Sequence, residues 1–186
     1  MGKQDHYAAA FGGMNYIRFV DDGSSTITHV SAKYDVAESI FSNILLFWTG
    51  IARNSEDILS EQDKNNAKNS VLLIKIRDQA LKMFNLANKG ELGIEELGDL
   101  MHKGWKMKSK LASIISNSYI SEAYESALTN GALGGKVLGA GGGGFLNLIV
   151  PESSKNSVIA ALGKLGLKHF PVGPDTRGTT VTSLLD

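Results

Sequence analysis

The chain has 186 residues, 42% of them hydrophobic and 20% charged, a globular rather than a disordered balance with room for one sizeable core. Lys plus Arg is 19 and Asp plus Glu is 19, a formal net charge of zero, which argues against a nucleic-acid partner held by a whole-chain basic field. Cysteine is absent, excluding disulfides, Cys-ligated zinc, iron–sulfur clusters and thiol nucleophiles, and no apolar run approaches the roughly 18 residues of a membrane-spanning helix.

Residues 3–11 are alanine-rich and stop at Gly12-Gly13, the pattern of a short helix ended by glycine. Residues 14–20 and 25–30 alternate around Asp21-Asp22-Gly23 and predict a β-hairpin. Residues 43–49, β-branched and aromatic, read as a buried strand. Ser55 ahead of Glu56-Asp57 predicts a hydroxyl cap at a helix start. Between residues 70 and 88, Leu73, Ile76, Ala80, Leu81, Phe84 and Ala87 recur at helical spacing. Leu97, Met101, Trp105, Lys108, Leu111 and Ile115 continue the period, with Lys108 as its one interruption. Ile120, Ala123, Tyr124, Ala127 and Leu128 mark another helix, closed by Asn130-Gly131. Lys136-Val137-Leu138 and residues 145–150 read as strands flanking a glycine loop. Residues 153–165 read as a helix, and residues 167–172 and 179–182 as two last strands. Helices and strands interleave without a strict βαβ rhythm, so the expected class is α+β, an antiparallel sheet covered by helices.

Two segments carry candidate chemistry. The run Gly139-Ala140-Gly141-Gly142-Gly143-Gly144 is either an anion-binding nest of backbone N–H groups or a flexible turn packed on a helix. It is not a P-loop, since Phe145-Leu146 stands where Lys-Ser/Thr is needed, and not a dinucleotide fingerprint, since a strand follows it. Asp5, in the first helix, suits either a general base or a helix cap. His6, His29, His102 and His169 are scattered, so no histidine metal site is expected. An EF-hand register over residues 85–96 fails at Ala87 and Lys89, where oxygen donors are required.

The two segments together resemble a known family. Lys136-Val-Leu-Gly-Ala-Gly-Gly-Gly-Gly-Phe145 is similar to the third motif of the GHMP small-molecule kinases. Gly2-Lys-Gln-Asp-His-Tyr-Ala-Ala-Ala-Phe-Gly-Gly13 resembles the segment that carries that family's catalytic aspartate. Residues 45–53 and 131–136 agree as well, and the likeness, nearly chain-long, is greatest to the branch acting on D-glycero-D-manno-heptose 7-phosphate.

The resemblance implies a ferredoxin-like C-terminal domain over residues 36–186, preceded by a helix and hairpin remnant of the N-terminal domain over residues 1–35. It implies Asp5 as catalytic base and Gly139, Ala140, Gly141, Gly142, Gly143 and Gly144 as the phosphate and substrate loop. Lys136, Arg53 and Ser55 are candidates for substrate contact. The family's Ser or Thr ahead of the Gly-Ala is Leu138 here, implying backbone rather than hydroxyl contacts. ATP and Mg2+ are implied for the intact enzyme, and a sugar phosphate as substrate. The family's first motif and its Pro-x-x-x-Gly-Leu-Gly-Ser-Ser nucleotide loop are not in this sequence. The expectation is therefore the C-terminal portion of a cytoplasmic, ATP-dependent sugar kinase that phosphorylates the anomeric hydroxyl of a heptose phosphate. By itself it is expected to be inactive, with no cofactor or metal of its own. Its partner would be the N-terminal half or, through edges exposed around residues 14–30, a second copy. The alternative is a non-catalytic module of the same fold that binds a sugar phosphate or a protein.

Overall fold

The computed structural model describes residues 3–30, 34–52 and 54–182. In chain order the elements are α1 (Lys3–Phe11), β1 (Asn15–Phe19), β2 (Ser25–His29), α2 (Tyr34–Ser42), β3 (Ile44–Trp48), α3 (Ser55–Lys64), α4 (Ser70–Lys89), α5 (Ile94–Lys108), α6 (Ser118–Thr129), β4 (Gly134–Val137), β5 (Phe145–Ile149), α7 (Lys155–Lys164) and β6 (Lys168–Phe170). Strands β1 and β2 form an antiparallel hairpin, and the others an antiparallel sheet in the order β4-β5-β3-β6. The class is α+β, as expected.

Strand alternation sends successive side chains to opposite faces of the four-stranded sheet. Phe47, Val137, Leu146 and Leu148 share one face and are fully buried against Ile120, Ala123, Val158 and Leu162 of α6 and α7. The other face begins at β4 with Gly134 and Lys136. Gly134 carries no side chain because α5 lies directly on it: a Cβ there would stand 2.0 Å from the Gly98 carbonyl oxygen. Beside this contact Ile149 packs with Ile40, Leu97 and Leu100 in a second, smaller core.

Helix α1 buries none of its residues and is held at its middle and at its C-terminus. Tyr7 meets Phe19 edge-on at 5.5 Å, and its hydroxyl accepts a 2.7 Å hydrogen bond from Ser25. At its C-terminus Gly12 has φ of +60° and lies against Gly178, where a Cβ would be 2.3 Å from the Gly178 nitrogen. Gly13 donates to Asp175 O at 2.6 Å, and Thr179 donates to Ala10 O at 3.1 Å.

Several details differ from the sequence reading. Residues 179–182 are not a strand; the Thr179 N–H bonds to the end of α1 rather than to a sheet edge. Helix α2 was not foreseen; Ile40 is its buried anchor. The cap of α3 is Asn54, whose side chain accepts from Glu56 N at 3.0 Å, so Ser55 is the first helical residue. Helix α5 stops at Lys108, and Leu111 and Ile115 are buried from the turns that follow. None of the described helices is long and apolar enough to cross a membrane.

Candidate active site

Asp5, Lys108, Lys136, Gly139 and Ala140 line one cavity of about 400 Å3, floored by apolar side chains that include Leu73 and Ile76. Residues from the two ends of the chain thus share a space. Asp5 arrives on α1 through the clamps just described. Lys136 arrives because Val137 must face the core, which turns its neighbour to the α5 side of the sheet. Lys108 arrives at the last turn of α5 and donates from Nζ to the Gly139 carbonyl, tying the glycine loop to the helix.

Burial pushes the Lys136 ammonium below its ordinary pKa, and the negative charge of Asp5 pulls it back up. The two groups therefore feel one another across the cavity. Lys3 adds a third cation at its rim, and Asp5 is the one carboxylate among the described lining residues. The cavity carries an excess of positive charge suited to an anion.

The glycine loop is more constrained than a free nest. Gly142 donates to Ile115 O at 2.7 Å and Gly144 donates to Ile51 O at 2.9 Å. Gly144 O accepts from the Thr49 backbone at 3.0 Å and from the buried Thr49 hydroxyl at 2.8 Å. At Gly141, with φ of +106°, a Cβ would stand 2.8 Å from Ile115, and at Gly143 one would stand 2.7 Å from Ile51 O. These glycines are required by close approach within the chain, and two of their N–H groups are already committed.

The structure brings Asp5, Lys136, Gly139 and Ala140 together. It places Gly142 on a separate cavity with Asn54, Asp57 and Asn117, and Ser55 at the start of α3, which lends Leu59 and Gln62 rather than Ser55 to the described lining of the Asp5 cavity. Arg53 lies outside the described residues. Another cavity of about 410 Å3 lies between the hairpin and α4; its lining, with Met14, Tyr16 and Phe84, includes no charged side chain. The Asp5 cavity is the candidate site on chemical grounds.

Three features escaped the sequence reading. Lys108 showed itself only as a polar interruption of an apolar helical stripe, which marks a residue with a task of its own. Asn147 is a polar residue inside the strand Phe145–Ile149, and its Oδ1 is buried with no hydrogen-bond partner. The strap that residues 175–179 form at the end of α1 left no local signal.

The fold and the paired segments define a class. Residues 90–167 match the family model described as GHMP kinases C terminal, and the chain is similar to the C-terminal portion of that family. Within that class it is similar to heptose-phosphate kinases. It is 32% identical over 166 residues to the D-glycero-alpha-D-manno-heptose 7-phosphate kinase of Campylobacter jejuni, an alignment covering 88% of this chain and 48% of that protein. The crystal structure of a D-glycero-D-manno-heptose 1-phosphate kinase from Bacteroides thetaiotaomicron superposes with a TM-score of 0.67 at 26% identity, covering 98% of this chain and 50% of that one. L. major mevalonate kinase shares the fold, with a TM-score of 0.68 at 17% identity over 95% of this chain and 53% of that one. The chain thus spans about half the length of these relatives.

Proposed function

We propose that this chain supplies the base-bearing and loop-bearing half of an ATP-dependent sugar kinase site whose acceptor is a heptose phosphate. The observation that carries the reading is the single cavity lined by Asp5, Lys136 and Gly139. In the proposed step the Asp5 carboxylate takes the proton of the anomeric hydroxyl. The freed oxygen forms a bond to the γ-phosphorus, the bond from that phosphorus to the β–γ bridging oxygen breaks, and ADP departs. The names of the two heptose relatives put the existing phosphate at different positions, and only a 7-phosphate leaves the anomeric hydroxyl free, so the acceptor proposed here is a heptose phosphate unsubstituted at the anomeric carbon.

ATP and Mg2+ are the partners this chemistry implies, and the residues present fit the anionic part of them. Lys108 and Lys136 suit phosphate oxygens. Mg2+ would supply neutralisation of charge on the phosphates; among the described residues no group of three acidic or histidine side chains could hold it. We divide the chain at about residue 35, the helix and hairpin before it belonging with the kinase N-terminal domain. The glycine-serine nucleotide loop is not among these 186 residues, so transfer is expected only when a segment carrying it is supplied, by a partner chain or a longer one.

The test is an ADP-release assay on a heptose phosphate, with and without the N-terminal half of a heptose-phosphate kinase. Release is expected only in the mixture, and Asp5→Asn should lower it ~100-fold or more. An Asp5→Asn mixture as active as the wild type overturns the catalytic role. One observation favours a second reading, a sugar-phosphate binding module without transfer: the Gly142 and Gly144 N–H groups are used inside the chain. Heptose phosphate binding that ATP never alters, with no ADP released in any mixture, selects it. Self-association is proposed through the two-stranded hairpin, both of whose strands are edges. Light scattering should show a dimer or larger species that the N-terminal half dissociates; a monomer at high concentration rejects it.

A further inference from the structure

The cavity that holds Asp5 contains more cation than the base can balance. Lys136 is not a strand-end lysine in water. Its ammonium is desolvated, and the carboxylate of Asp5 only partly offsets the cost. A buried charge in this condition persists where a partner of opposite sign completes it. Lys136 and Lys108 also line the adjoining cavity of about 250 Å3, whose wall includes Met83, Met101 and Trp105. The two ammonium groups therefore stand where a polar cavity meets an apolar one, and water screens them poorly.

Asn147 is the cross-strand partner of Lys136 on the same face of the β4–β5 pair. Its sequence neighbours are Leu146, Leu148 and Ile149, all buried and apolar. At that position Asn147 Oδ1 is a buried acceptor with no hydrogen-bond partner. An unsatisfied buried carbonyl is costly, and its cross-strand neighbour Lys136 carries an ammonium with three protons to give. Lys108 is already engaged with the Gly139 carbonyl, so its position is set by the glycine loop.

We propose that Lys136 and Lys108 form a paired cationic seat for a phosphoryl group in the Asp5 cavity, and that Asn147 is a positioning residue that orients the Lys136 ammonium toward it. This deepens the kinase reading and rests on it for the name of the ligand, but the seat itself is a claim about anion binding. Lys136 and Lys108 neutralise phosphoryl oxygens from one wall. Asn147 Oδ1, unpartnered in the chain without ligand, takes one Lys136 proton when the anion binds and leaves the others directed at it. The Lys108 clasp on Gly139 keeps the loop at the distance the anion needs.

The probe is inorganic pyrophosphate, titrated calorimetrically into the 186-residue chain, with circular dichroism confirming the fold of each variant. Lys136→Met and Lys108→Met should each weaken binding ~10-fold or more, and Asp5→Asn should strengthen it by removing the opposing charge. Asn147→Leu should weaken binding ~3-fold or more without lowering the melting temperature, since it also removes an unsatisfied acceptor. A merely structural asparagine would move melting temperature and leave affinity alone. Lys136→Gln replaces Lys136→Met if the latter does not fold. Failure of the wild type to bind pyrophosphate, or wild-type affinity in both lysine variants, overturns the seat. Full affinity in Asn147→Leu overturns the positioning role. Lysine-dependent binding with no effect of Asp5→Asn on ADP release removes the catalytic reading and leaves the seat. ADP release indifferent to both lysines does the reverse.

Discussion

At Gly141 the backbone has φ of +106° and the space for a Cβ is filled by Ile115. Alanine there is doubly penalised, by a conformation that L-residues avoid and by contact with a buried, immobile neighbour. Gly141→Ala is expected to cost about 1–3 kcal/mol, read as a lower urea midpoint with an unchanged slope. Gly13, also at positive φ but with nothing within 4 Å of its Cβ position, should cost less when changed to alanine. Equal losses at the two sites would mean that backbone strain, not the Ile115 contact, dominates. Lys136 adds a pH signature. Its native pKa lies below the unfolded value, so the unfolded chain binds more protons between the two, and stability rises with pH through that alkaline window. Lys136→Met should remove this rise from denaturant midpoints measured across it.

At the scale of elements, the packing of α5 on β4 carries much of the design. Gly98 and Gly134 let helix and strand approach, and a Cβ on Gly98 would fall 2.4 Å from that of Leu133. Gly98→Ala is expected to push α5 away and displace Lys108 from Gly139. Its signature is lower stability together with loss of pyrophosphate affinity, whereas an alanine at solvent-facing Gly163 should change neither. Further along α5, His102 Nδ1 lies 2.9 Å from the Tyr124 hydroxyl and its ring stacks on Tyr124. Burial, helped by Lys106 and opposed by Glu125 and Asp99, holds the imidazole below its ordinary pKa. The unfolded chain therefore takes up the proton first as pH falls from about 6.5. Stability should be level above about 6.5 and decline from there as pH falls to the native value. Denaturation at about pH 5.5 and about pH 7.5 should show this difference in the wild type and a smaller one in His102→Gln.

At the scale of the whole molecule, Asp5, the proposed base, is held by the far end of the chain. The strap through Asp175, Gly178 and Thr179 closes the C-terminus of α1, and the Asp175 carboxylate accepts from Arg177 N at 2.9 Å to shape the turn. A Cβ on Gly178 would stand 2.5 Å from Ala10 O, at φ of +66°. Gly178→Ala should release α1 and speed hydrogen exchange of its amides while leaving β3, β4 and β5 protected. Unchanged exchange in α1 would show that the Tyr7, Phe19 and Ser25 contacts suffice without the strap.

Local pattern made much of this molecule legible. The 3.6-residue period exposed α4, α5 and α6, alternation exposed the hairpin, and glycine and asparagine marked the helix ends, because each signal lies within a few residues of what it specifies. The same short windows carried the family resemblance, and with it Asp5 and the glycine loop. Distance in space decided the rest. Which loop N–H groups are committed depends on Ile51 and Ile115, whether Lys136 is desolvated depends on α5, and whether α1 is anchored depends on residues 175–179. Contacts between segments remote in the chain leave no period in the sequence. They arise when the buried faces settle against one another, so the electrostatics of the cavity belong to the tertiary fold.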